Sequence, residues 1–302
     1  MRKNLAVLGV VGFILVDVLL VVLALRHAQG DASAADDGAR RPSASATVKA
    51  SPSATPTQGK PTSNQGGKRE RKDAVLLSIS DDGTVVRGVR GSCEADSTAK
   101  VEISSDSGAS FDTVTPELTQ VLSVEASSDA EISVVGADQD CEPRRFRSSD
   151  LGETWKKGKA PEDWYLLPGA KKSVRSPIDT TRPGCTVLAL AEVDVSVARV
   201  ACTDSSIRGT GDAGAEWVRL GSLKRLRAIT YAGPSRAVAL AESDDCAGQV
   251  FTTTNGGSKW SRGGCIDGEL AEAVAANDRI ILAQVSGQVF RSTDDGETWS
   301  KA

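Results

Sequence analysis

A chain of 302 residues with a formal net charge of −4, 4% aromatic residues and a single histidine, His27, has room for more than one structural region but little material for metal or triad chemistry. It holds no CxxC pair, no glycine-rich phosphate loop and no Ser/His/Asp set, so neither a metal site nor a cofactor is expected. Of the 36 basic and 40 acidic residues, residues 1–73 hold 11 and 6, which leaves the remainder net acidic by 9 and excludes nucleic acid as an expected partner.

The first predicted element is a transmembrane signal-anchor helix over residues 5–25, "LAVLGVVGFILVDVLLVVLAL", a span that crosses ~30 Å of hydrocarbon at 1.5 Å per residue. Asp17 interrupts it, at a cost of about 2.5–3.5 kcal/mol that the surrounding Leu, Val and Ile outweigh. Arg2 and Lys3 precede the span, so residues 1–4 form a cytoplasmic stub and the rest of the chain is sent outward. A cleaved signal peptide is the competing reading, with Ala32-Ser33-Ala34 as its small-residue site. The expected location is the cell membrane, single-pass, with the folded part extracytoplasmic. Residues 26–73 are rich in Ala, Ser, Thr and Pro without apolar periodicity, and are read as a disordered linker.

Beyond it, "RSSDLGETWK" at 147–156 and "RSTDDGETWS" at 291–300 are near twins, and the same Ser/Thr-x-Asp-x-Gly-x-x-Trp frame recurs at 104–111, 210–217 and 253–260. Its markers are Asp106, Asp150, Asp212, Asn255 and Asp294, spaced by 44, 62, 43 and 39 residues. Its aromatic position holds Phe111, Trp155, Trp217, Trp260 and Trp299. Before each frame come short β-branched runs separated by turn residues, as in "RAITYA", "RAVALAE" and "QVFTTT". Each repeat therefore reads as a four-stranded antiparallel meander, a unit that buries its faces only by stacking on its neighbours.

These signals resemble the Asp-box, or BNR, repeats of sialidases, sortilin-type receptors, some xyloglucan-degrading hydrolases and a photosystem-II assembly-factor family. The resemblance covers about residues 74–302 and implies a β-propeller in which the box is a structural hairpin on the outer rim. The residue chemistry agrees, because an Asp can accept backbone N–H bonds inside a tight turn that Gly permits. Five boxes predict an all-β, five-bladed β-propeller at 74–302, with first strands near Val75, Val121, Thr186, Arg227 and Ala271, and with residues 158–183 as a long loop between the second and third blades.

The six cysteines, an even number outside the membrane, read as disulfides. Many connectivities are open; strand placement favours Cys93–Cys141, Cys185–Cys202 and Cys246–Cys265, all on the face opposite the boxes. That face also receives the 158–183 loop, whose Trp164, Tyr165, Lys171, Lys172 and Arg175 form the candidate ligand-binding set. The alternative is that Trp164 and Tyr165 only plug the loop against the propeller. No catalytic residue is assigned: a sialidase-like reading would force Arg90, Arg182 and Arg208 into a triad that their spacing does not recommend. Acidic loop residues such as Asp138, Asp163 and Asp204 are common without catalysis. The expected function is a membrane-tethered binding or scaffold module of the cell envelope, with an envelope protein or carbohydrate as partner; a sialidase-like glycoside hydrolase is the alternative.

Overall fold

A computed structural model describes residues 74–94, 98–127 and 131–302. The stub, the anchor and the linker lie outside the described residues, among which no helix is long and apolar enough to cross a membrane. The described chain is all β. Four strands, β1 (Val75–Ile79), β2 (Val85–Val89), β3 (Lys100–Ser104) and β4 (Asp112–Thr113), form the first sheet in sequential order. The second sheet follows as β5 (Gln120–Ala126), β6 (Ile132–Ala137), β7 (Pro143–Ser148) and β8 (Lys156–Lys157).

Here the five-blade expectation fails. Residues 158–183 are not a plain loop: they contain β9 (Tyr165–Leu166), β10 (Val174–Arg175) and β11 (Thr180–Thr181), an antiparallel three-stranded sheet that makes a sixth member of the ring. Strands of two residues leave no readable alternation, which is why the sequence conceals them. Three four-stranded meanders complete the chain. They are β12 (Val187–Glu192) to β15 (Val218–Ser222), β16 (Leu226–Tyr231) to β19 (Ser261–Ile266), and β20 (Ala271–Ala276) to β23 (Ser300–Lys301).

The apolar core counts the sheets independently, because it divides into six clusters and each lies between two neighbouring sheets. Sheets one and six meet through Ile79 and Val85 against Ala275, Leu282 and Val289. No strand is shared across this seam; Asn277 Nδ2 instead donates to Ser80 O at 2.8 Å and Arg279 to Asp81 O at 2.9 Å. Packing is tight enough that a Cβ on Gly88 would come within 2.8 Å of Val121 in the next sheet. The junction of sheets two and three is the thinnest, with Tyr165 as the third sheet's buried member against Leu122, Val135 and Ala137.

Each of the five repeated signals closes the hairpin between a third and a fourth strand. In the second sheet, Ser148 Oγ donates to Asp150 Oδ1 (2.7 Å) and accepts from Gly152 N–H (2.8 Å), while Asp150 accepts from Thr154 N–H (2.9 Å). Asp106, Asp212, Asn255 and Asp294 repeat the pattern. The turn needs two successive left-handed residues, Leu151 at φ 54° and Gly152 at φ 85° in this copy. A non-glycine residue is strained there, and only the fifth sheet relieves it, with Gly256 ahead of Gly257.

The aromatic residue of each box serves as a strut. Trp155 donates to Val114 O at 2.8 Å, Trp217 to Thr181 Oγ1 at 3.0 Å and Trp299 to Gly296 O at 3.1 Å, while Trp260 packs into the cluster between sheets four and five. Phe111 instead lies 3.9 Å beneath the Arg87 guanidinium. All three expected disulfides are present, Cys93–Cys141, Cys185–Cys202 and Cys246–Cys265, each with Cα atoms 5.9 Å apart. The first ties adjacent sheets; the second ties the exit of the third sheet to the end of β13 (Ala198–Cys202).

Candidate functional site

The first strands of five sheets and the segment Asp163–Leu166 surround a central channel of about 430 Å³. β20 lines it mostly with small residues, Ala271, Ala273, Ala275 and Ala276, and the other first strands with larger ones such as Leu77, Leu122 and Leu190. On the side of the third sheet the wall recedes. Ser133 and Val135 of β6 border the channel there, whereas in the other four-stranded sheets the first strand covers the second.

The reason lies in the direction of β9. Lys171 O, beyond its end, accepts from Val187 N–H at the start of β12 (2.7 Å), and Trp164, just before it, donates to Asp194 O past the end of β12 (3.1 Å). β9 therefore runs opposite to the first strand beside it. Its sense is that of a second strand, so β9, β10 and β11 reproduce strands two to four of a blade that lacks its innermost strand. Ser176, fully buried at the end of β10, accepts from Asp179 N–H (3.1 Å), a shortened counterpart of the box turn.

The channel carries ionisable groups of two kinds. Some are committed: Arg227 pairs with Glu242 at 2.7 Å, Glu272 accepts from Gln284 (3.0 Å) and Gly287 N–H (2.7 Å), and Asp163 pairs with Arg145. Others are not. Arg90 is a half-buried guanidinium whose Nε and Nη2 meet no partner among the described residues, and burial lowers its pKa. Glu125, next to last in β5, and Glu192, last in β12, flank the recess and accept no hydrogen bond from a described residue. Glu192 is open to the channel yet enclosed by protein on its other sides. That enclosure, with Glu125 and then Asp194 nearby, raises it to about 7 against the opposing pull of Arg145. A carboxyl group raised in this way can donate a proton to a ligand oxygen as well as accept a hydrogen bond.

Neither glutamate belongs to the set expected from sequence. Of that set, Trp164 and Tyr165 are 2% and 3% exposed and sit in the core. Trp164 meets Trp217 edge to face with ring centres 6.0 Å apart. Lys171 and Lys172 are exposed, and Arg175 faces Asp179 at 3.9 Å. The aromatic pair and the lysines therefore share no surface. The loop acids are largely engaged: Asp138 takes Arg144 (3.2 Å) and Lys157 (3.0 Å), and Asp204 takes Ser206. Arg90, Arg182 and Arg208 do not converge either, since Arg208 lies in the third strand of its sheet, β14 (Ser206–Thr210), and Arg182 is exposed beyond β11. One sequence signal does mark the site: a glutamate at or next to the end of a first strand, in "QVLSVEA" and "VLALAE". Among the described residues no cluster of His, Cys, Asp and Glu could hold a metal ion.

No protein-family profile and no curated protein sequence matches the chain. Solved structures resemble it in fold at low identity. They include YCF48 bound to a D1 peptide (16% identity, 76% of this chain and 66% of that one, TM-score 0.32) and the GH74 xyloglucanase from Xanthomonas campestris (16%, 76% and 38%, TM-score 0.33). A lectin from Aleuria aurantia in complex with α-methyl-L-fucoside is also similar (11%, 76% and 94%, TM-score 0.47). The chain thus spans just under two thirds of the first of these and well under half of the second.

Proposed function

We propose that the chain is a binding or scaffold propeller of the cell envelope whose ligand lodges in the central channel. The observation that carries this reading is the contrast in commitment. The box, loop and rim charges are largely spent on turns and ion pairs, while the side chains of Arg90, Glu125 and Glu192 face the channel with no hydrogen-bonding partner among the described residues. Residues 5–25 support a membrane tether and residues 26–73 a linker, which would hold the propeller outside the cytoplasmic membrane; the recurrent turns support the likeness to Asp-box repeats. The test is retention of solubilised envelope components by the full-length chain. Thr230→Trp, which adds bulk to the channel wall from β16, should abolish the retention. Undiminished retention by a folded Thr230→Trp protein would place the binding surface elsewhere.

Glycoside hydrolysis is the second reading, favoured by one feature: Glu192, raised to about 7 beside Glu125, is suited to act as a general acid. On this reading Glu192→Gln should retain envelope carbohydrate and lose release of reducing sugar. Equal sugar release by wild type and variant would remove it.

A further inference from the structure

We infer that the recess beside the third sheet accepts an extended peptide segment, which adds as the missing innermost strand and places a lysine or arginine against Glu125 and Glu192. This deepens the channel reading and rests on it.

Three observations converge. One strand is missing from the wall here, because the third sheet has three strands and begins at a second-strand position. Its floor on one side is β6, which borders the channel through half-buried Ser133 and buried Val135. On the other side stands β12, whose Val187 to Leu190 are half-buried, as is the equivalent stretch of β1. A guest strand would cover Leu190 with alternate side chains, as first strands do elsewhere in the ring.

The second edge of β9 lies near β5 and pairs with no described strand. The first edge pairs with β10, and in an antiparallel pair alternate residues turn their N–H and C=O groups away from the partner. One of Tyr165 and Leu166 thus turns its backbone away from β10, and neither makes a backbone hydrogen bond to a described residue outside that pairing. Addition of a strand to such an edge supplies affinity through main-chain bonds, with side chains setting selectivity. First strands here run from five to seven residues, so a guest of about that length fits.

Charge selects the guest. Facing the recess are Glu125 from β5, Glu192 from β12 and Asp163 ahead of β9, against Arg145 from β7, which Asp163 already holds. Glu125 and Glu192 remain for one cationic side chain; of the channel's own cations, Arg227 is held by Glu242 and Arg90 stands beyond the end of β2.

The experiment uses the full-length chain and three labelled, end-capped pentapeptides: alternating valine and lysine, the same with glutamate for lysine, and the lysine peptide with its backbone amides N-methylated. Fluorescence anisotropy should show one-to-one binding of the lysine peptide, at least tenfold weaker binding of the other two, and at least a tenfold loss in Ser133→Trp, which fills the recess. Since Ser133→Trp risks misfolding, the isosteric Glu125→Gln/Glu192→Gln protein serves as a second variant with the same expected loss. Equal binding of the N-methylated peptide, preference for the glutamate peptide, or no saturable binding of the lysine peptide overturns the inference. If Thr230→Trp abolishes envelope retention while Ser133→Trp does not, the channel reading stands and the strand-addition inference falls.

Discussion

The five repeated blades and the third sheet solve the same packing problem by different means. Each repeated blade carries its own instruction, a box whose Ser/Thr, Asp or Asn and Gly close one turn locally and whose aromatic residue braces that turn. The third sheet has strands of two residues and no box; it is held by what surrounds it, through Trp164 and Val174 against sheet four, Tyr165 against sheet two, and the Cys185–Cys202 bridge at its exit. A blade defined by local turns tolerates the loss of one contact. A sheet defined by its neighbours does not, and it is the one beside which the channel opens.

Trp164→Ala should therefore have the largest effect, about 3–5 kcal/mol, because it empties a fully packed site and removes the edge-to-face contact with Trp217. Replacement of residues 159–183 by a short Gly/Ser turn should unfold the propeller for the same reason. Chemical denaturation with tryptophan fluorescence measures both; a folded, wild-type-like deletion would show that the third sheet is dispensable. Trp155→Ala should cost less, roughly 2–3 kcal/mol, since the ring is only half-buried and its loss removes one hydrogen bond and a share of the packing between sheets one and two. If Trp155→Ala costs as much as Trp164→Ala, the contrast between local and neighbour-held blades fails.

Acid should separate the regions further. Hydrogen bonds from Thr154 and Ser148 hold Asp150 at about 2, and those from Thr298 and Ser292 hold Asp294 at about 2, both below the ordinary carboxylate value of 3.8. Groups lowered on folding contribute stability above the unfolded pKa and lose it as pH falls through the folded one. Melting temperature should thus drop between about pH 4 and 2. An Asp150→Asn/Asp294→Asn protein, which copies the natural Asn255 turn, should drop by less. Identical acid profiles would show that the boxes do not govern acid stability.

The smallest effect concerns the channel. Glu192 is raised on folding, so its proton is held more tightly in the folded state, and stability declines as pH rises from the ordinary glutamate range toward about 7. Glu192→Gln should raise the melting temperature slightly at pH 8 and leave it unchanged at pH 4. An unchanged melting temperature at both pH values would mean that Glu192 is as well solvated in the fold as in the unfolded chain.

The repeated blades are legible in the sequence because a box is a local object: eight consecutive residues contain the donors, acceptors and left-handed positions that the turn requires. Reading the runs between boxes placed their first strands within one residue of where they begin, at Val75, Gln120, Val187, Leu226 and Ala271. Even the cysteine pairs follow, since a meander brings strand ends on one face together. That residues 158–183 complete a six-membered ring emerges only in three dimensions, because their strands are too short for periodicity and are fixed by neighbours distant in the chain. Packing likewise moved Trp164 and Tyr165 from a surface to the core, and brought Glu125 and Glu192, 67 positions apart, to one recess. A missing strand leaves no residue to read; it exists only as the space that the surrounding sheets leave open.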